Sequence, residues 1–168
     1  ATAWPLPATR WYACRVCGES VQRRDHHCVW INQCVGHHNH RAFVVFVTSF
    51  TVLALSYAAL AASVAAAAAR ESWVGYLLLL LGTRQLPPPM AGVIYAAVGG
   101  GFTLLLALGQ ARNIGDGLTT HEQKRLAKAG WTGVGADGSG VARQRRHPFD
   151  QGGCLANWAA WLRAGAAG

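Results

Sequence analysis

From Ala42 to Ala69 the chain runs for 28 residues without a charged side chain, bracketed by Arg41 and Arg70. No other feature limits the fold as much. As a helix this run reaches roughly 42 Å, more than a hydrocarbon core of about 30 Å. Its apolar residues follow one another without a helical or strand period, so no polar face is left for water, and the expected solvent is a bilayer. A second run, Met90 to Ala111, adds roughly 33 Å at the same rise. The sequence therefore predicts membrane helices over 42–69 and 90–111, joined by a lumenal loop over 70–89. Within that loop, Trp73 to Leu81 is apolar but too short to span, and Arg84 and Pro87-Pro88-Pro89 interrupt it. Gly99-Gly100-Gly101 costs helix propensity and permits close approach of a neighbouring helix, so a partner helix is implied.

Charge sets the orientation. A net charge of +8 would suit a nucleic-acid binder, but the basic residues flank the apolar runs. Arg10, Arg15, Arg23, Arg24 and Arg41 precede the first, and Arg112, Lys124, Arg125, Lys128, Arg143, Arg145 and Arg146 follow the second. This positive-inside pattern places both ends in the cytosol, names the lipid bilayer as partner and argues against nucleic acid. The five cysteines then all lie on the reducing side, which favours metal ligation or thiol chemistry over disulfides. The chain opens on Ala1 and its single methionine is Met90, so it is expected to be a piece of a longer protein, with no signal peptide legible.

Two chemical patterns lie in residues 1–41. Cys14-x2-Cys17, His27 and Cys34 have zinc spacing, and three cysteines with one histidine close a tetrahedral structural site. A region without an apolar core of its own needs such a staple. Spacing alone leaves open an all-cysteine set of Cys14, Cys17, Cys28 and Cys34. In an extended segment, however, His26 and Cys28 share a face while His27 points away, which favours His27 as the ligand. The second pattern is Asp25-His26-His27-Cys28. A neutral His26 takes the proton of Cys28, and Asp25 orients the imidazole and stabilises its protonated form. The thiolate is the reactive species.

With these residues in view, the chain resembles the DHHC-type protein palmitoyltransferases. The resemblance rests on Asp25-His26-His27-Cys28-Val29-Trp30, Asn32-Gln33-Cys34-Val35-Gly36, Asn39 and Phe43. Thr119-Thr120-His121-Glu122 is similar to that family's TTxE motif. His147-Pro148-Phe149-Asp150, followed by Asn157, is similar to its C-terminal motif, with His where Asn is usual. The resemblance implies that Cys28 takes a long-chain acyl group from palmitoyl-CoA and passes it to membrane-proximal cysteines of substrate proteins, in two ping-pong steps. It implies His26 as base, Asp25 behind it, and zinc on Cys14, Cys17, His27 and Cys34. Thr120 is expected near Asp25, and Trp30 and Phe43 along the acyl chain. Asn157 is expected to hold the C-terminal segment, over 112–168, against the catalytic region. It further implies an endomembrane (Golgi or ER) or plasma-membrane protein with its site facing the cytosol. Ala13 and Ser20 stand where two ligands of the family's other zinc site belong, with Ala3 near a third position, so one zinc is expected. Val29 replaces the usual proline, and two preceding membrane helices are missing.

The expected fold is an all-α multi-pass membrane protein, a two-helix hairpin carrying a small, zinc-stapled, loop-rich cytosolic region. His37, His38 and His40 are expected to be solvated interface residues, and the nearby arginines to orient the hairpin. Trp158, Trp161 and Leu162 are expected on the membrane surface, Gly130 to Gly140 as a flexible linker. A non-catalytic zinc adaptor is the alternative in a different functional class.

Overall fold

The computed structural model describes residues 6–83, 88–130, 134–136, 142–144 and 147–163. Ala3, Arg84, Pro87, Arg145, Arg146 and parts of the expected linker lie outside the described residues. The chain divides into two compact units, Ala1–Phe43 with Gly109–Gly168, and Val44–Leu108.

The first unit begins with two antiparallel hairpins. β1 (Trp11–Ala13) pairs with β2 (Ser20–Gln22), and β3 (His26–Cys28) pairs with β4 (Gln33–Val35). Strand alternation buries Tyr12 between exposed Trp11 and Ala13. The hairpins are joined by a backbone bond from His37 N–H to the Gln22 carbonyl, while Arg23 N–H, bonded to the Arg10 carbonyl, extends the β1–β2 ladder by one pair. Arg23 makes the turn between them with φ of 47°. Gly36 passes so close to β2 that an added Cβ would lie 2.5 Å from Val21 Cγ1 and 2.9 Å from the Gln22 carbonyl. The expected loop-rich region is therefore a pair of hairpins. Strands of three residues are too short for a period of two to be legible.

Two short helices complete this unit. α3 (Thr120–Lys128) starts with a capping box in which Thr119 accepts from the Glu122 N–H and Glu122 accepts from the Thr119 N–H. α4 (Cys154–Arg163) is tied back by buried Asn157, whose amide donates to the Gly115 carbonyl at 2.7 Å and whose oxygen accepts from the Gln151 N–H. Leu6, Leu118 and Leu126, joined by Phe149, form a small apolar core. Val134–Ala136, inside the expected linker, pairs antiparallel with Ala142–Gln144 just beyond it.

Helices α1 (His40–Thr83) and α2 (Pro88–Gly115) supply the second unit and extend beyond it. Each holds a stretch long and apolar enough to cross a membrane, His40–Ala67 and Ala91–Gly115. Only 17% and 11% of their most apolar windows are buried, whereas a core helix of a soluble protein is mostly buried. The first span begins and ends two residues before the run expected at 42–69, and the second begins one residue after and ends four residues beyond the run expected at 90–111.

The segment expected as a loop from residue 70 is instead helical to Thr83, with a kink at Ser72 where the backbone turns extended (φ −156°, ψ 78°). A leucine run such as Leu77 to Leu81 has high helix propensity whether or not it spans. Pro88 opens α2, where its missing N–H has no helical partner to lose. In this unit Gly100 of the glycine triplet faces Leu55 and Ala54 of α1, at 3.1 and 3.2 Å from a built Cβ, while Gly99 and Gly101 meet open space. Gly100 thus makes its close approach to a helix of the same chain.

Candidate active site and metal centre

The β3–β4 register sorts the Asp25-His26-His27-Cys28 run. His27 sits directly across from Cys34, while His26 faces Val35 and Cys28 faces Gln33. Opposite residues in such a pair lie about 4.5–5.5 Å apart at Cβ, close enough for His27 and Cys34 to share one ion. The other two thiols come from the β1–β2 turn, where Gly18 N–H bonds to the Cys14 carbonyl and Gly18 adopts φ of 74°. The four side-chain donors lie within 4.8 Å of one another. Cys17 Sγ is 3.6 Å from Cys34 Sγ, and His27 Nδ1 is 3.3, 3.8 and 3.9 Å from the sulfurs of Cys17, Cys34 and Cys14. Bonds of about 2.3 Å to sulfur and about 2.0 Å to nitrogen in a tetrahedron require separations of roughly 3.5–3.8 Å. The donor set fits a metal ion of the zinc type, and Cys28 is not in it.

On the other face of β3 the remaining residues form a hydrogen-bonded series. His26 Nδ1 donates to Asp25 Oδ2 at 2.8 Å, which leaves Nε2 as the nitrogen available to the Cys28 thiol. The same carboxylate oxygen accepts from Gln110 Nε2 at 2.9 Å, and Oδ1 accepts from the Thr120 backbone N–H. Burial raises the Asp25 carboxyl, but the bonds from His26, Thr120 and Gln110 outweigh it and hold it at about 2. The bond to Asp25 raises the His26 imidazole against the opposing effect of burial. For Cys28, burial pushes the thiol up, yet His26 and the backbone N–H groups of Trp30 and Ile31 bring it below its ordinary value. Phe43 is buried and sets its ring edge-on to His26 at 5.1 Å. Trp30, by contrast, is 83% exposed on the turn after Cys28.

Three polar residues anchor this arrangement. Thr119 donates from its hydroxyl to the Arg24 carbonyl at 3.0 Å, directly before Asp25. Asn113 donates to the Thr120 hydroxyl at 2.8 Å. Glu122 is fully buried and receives Arg10 Nε at 2.8 Å, Arg10 NH2 at 2.5 Å and the Tyr12 hydroxyl at 3.0 Å. The Tyr12 phenol is raised in turn, first by burial and then by the Glu122 charge.

Sequence reasoning assigned no site contact to Arg10, Tyr12 or Gln110, and gave Glu122 only as part of the Thr119-Thr120-His121-Glu122 motif. The one visible signal was Glu122 completing a Thr-x-x-Glu capping box. His40 is not merely solvated: its ring nitrogens meet Gln110 at 2.8 Å and Trp161 at 3.0 Å. Trp161 packs edge-on against His40 and lies beneath the Arg41 guanidinium. The arginines expected only to orient the hairpin include Arg10, ion-paired with Glu122, and Arg24, 3.2 Å from His121.

Comparison with known proteins places this geometry. Palmitoyltransferase erf2 of Emericella nidulans is 35% identical over 160 residues, 94% of this chain and 24% of that protein. Palmitoyltransferase ZDHHC23 of Homo sapiens is 57% identical over 44 residues, 26% of this chain and 10% of its own length. Probable protein S-acyltransferase 15 of Arabidopsis thaliana is 51% identical over 43 residues, covering 26% of this chain and 17% of the relative. The chain thus spans about a quarter or less of the length of these relatives. The DHHC palmitoyltransferase family model matches residues 7–126, which takes in both hairpins, both long helices and all but the last two residues of α3. The chain belongs to the DHHC palmitoyltransferase family.

Proposed function

We propose that this chain is the catalytic part of a multi-pass membrane protein S-palmitoyltransferase that uses palmitoyl-CoA and modifies membrane-proximal cysteines of substrate proteins from the cytosolic side. One observation carries the reading: His26 is hydrogen-bonded to Asp25 and shares one face of β3 with Cys28, while His27 turns to the metal set. His26 removes the Cys28 proton, and the thiolate attacks the thioester carbonyl of acyl-CoA. The carbon–sulfur bond to CoA breaks, the CoA thiolate takes the proton from His26, and acyl-Cys28 remains. In the second step His26 deprotonates a substrate cysteine, the resulting thiolate attacks the acyl-Cys28 carbonyl, the bond to Cys28 sulfur breaks, and His26 returns the proton to that departing sulfur. Asp25 fixes the tautomer of His26 and stabilises its cationic form in both steps. Trp30 and Phe43 are assigned to the acyl chain, Thr120 to orienting Asp25, and Asn157 to retaining α4. One zinc on Cys14, Cys17, His27 and Cys34 would supply structural cross-linking of the two hairpins. The adaptor alternative has no observation in its favour.

The test uses full-length protein in membranes with labelled palmitoyl-CoA. A hydroxylamine-labile label is expected on the wild type and is lost in Cys28→Ser, with zinc content unchanged. Wild-type protein with normal zinc and no label would sink the reading.

A further inference from the structure

Asp25 receives a hydrogen bond whose origin lies three elements away. Gln110, near the end of α2 and only 5% exposed, donates from Nε2 to Asp25 Oδ2 at 2.9 Å. Its other amide atom, Oε1, is 2.8 Å from Nε2 of His40, the first residue of α1. His40 Nδ1 is in turn 3.0 Å from Trp161 Nε1 on α4, 121 positions along the chain.

Donor and acceptor rules give every link a single direction. An indole nitrogen only donates, so His40 Nδ1 accepts from Trp161 and the His40 proton sits on Nε2. That proton goes to Gln110 Oε1, which fixes the amide with its NH2 group toward Asp25. A flipped amide would set its oxygen against the Asp25 carboxylate and its NH2 group against the His40 Nε2–H, acceptor on acceptor and donor on donor. Trp161 is itself held in place, edge-on to Trp158 at 5.6 Å and under the Arg41 guanidinium at 5.3 Å.

We propose that Trp161, His40 and Gln110 are positioning residues for Cys28 acylation, a directed hydrogen-bond chain by which α4 sets the orientation of the Asp25 carboxylate and, through it, of His26. The inference rests on the acyltransferase reading above. Asp25 is buried, so an oxygen deprived of Gln110 has no water to replace it and the carboxylate settles where its remaining bonds allow. Small displacements of an orienting group slow chemistry more than they weaken substrate binding.

The experiment measures initial rates of Cys28 labelling from palmitoyl-CoA in full-length protein in membranes. Gln110→Met keeps the side-chain volume and removes both bonds; its rate should fall about tenfold or more, as befits a bond to a charged group. Trp161→Phe keeps the packing and removes one neutral donor, for a loss of roughly three- to tenfold. The KM for palmitoyl-CoA should not move in either. His40→Gln, which retains an acceptor and a donor, should keep more activity than His40→Leu. In an Asp25→Asn background neither Gln110→Met nor Trp161→Phe should slow the residual rate further, since they act through the group already lost. Leu155→Ala, at an exposed position of the same helix, should match wild type.

Wild-type rates in Gln110→Met and Trp161→Phe would overturn the proposal while leaving the acyltransferase reading intact. Full multiplication of their effects on Asp25→Asn, or zinc loss in parallel with rate in both, would also overturn it by assigning them to the fold. An unlabelled wild type would take down the acyltransferase reading and this inference with it.

Discussion

Glu122 shows how much one buried charge organises at the residue scale. It caps α3 through Thr119, pairs with Arg10 and accepts from Tyr12. Burial alone would raise its carboxyl; Arg10, Thr119 and Tyr12 more than offset this and lower it. Glu122→Ala leaves Arg10, 12% exposed at its side chain, without its partner and should cost about 3–5 kcal/mol, read as lost protease resistance of the hairpin unit. The pH dependence follows in sign. A carboxyl whose folded value is depressed contributes stability that is full above the unfolded value of about 4.3 and is lost as pH falls through the folded one. Wild-type protease resistance should therefore decline with acidification below about pH 4, and Glu122→Gln should be less stable at neutral pH with a flatter acid profile. An unchanged slope in Glu122→Gln would remove this residue from the account of acid stability.

At the scale of elements, close approach decides where substitution is tolerated. Gly36 has no room for a methyl group between Val21 and the backbone of Gln22, and the contact atom at 2.9 Å is a carbonyl that cannot rotate away. Gly36→Ala should spread β2 from β4 and destabilise by about 1–3 kcal/mol, with the metal set losing affinity because its donors come from both hairpins. Gly99→Ala, where nothing lies within 4 Å, should be neutral or slightly favourable to the helix. Circular dichroism of the two variants against their zinc content separates the cases. The elements also differ in how readable they were. The long helices show in the sequence because a bilayer permits little except uncharged runs of that length. The hairpins did not, because three-residue strands fixed by cross-strand metal donors carry no periodic signal. Asp25, His26, Cys28 and the metal donors were legible since chemistry demands those residue types at short spacing. Gln110, His40 and Trp161 were not, because a hydrogen-bond chain across 121 positions leaves no local pattern in a single sequence.

For the molecule as a whole, the metal set and the nucleophile lie on opposite faces of one three-residue strand, so their losses should be separable in one direction only. Ala13 and Ser20 sit in β1 and β2 as cross-strand partners, and neither offers a metal-binding atom of the cysteine or histidine kind. Among the described residues, the set of Cys14, Cys17, His27 and Cys34 is the one group of cysteines and histidines close enough to hold an ion. Elemental analysis of purified protein should return about one zinc per chain, and a value near two would overturn the single-site reading. Cys28→Ser should keep that zinc and lose all labelling by palmitoyl-CoA. Cys14→Ser should lose both, because β3 would then lack the link that holds it to the β1–β2 turn while Cys28 itself is untouched. Retention of full labelling in a Cys14→Ser protein shown to be zinc-free would mean that Cys28 is held against His26 without the metal, through the His37–Gln22 backbone bond and the bonds that Thr119, Thr120 and Gln110 make to Arg24 and Asp25.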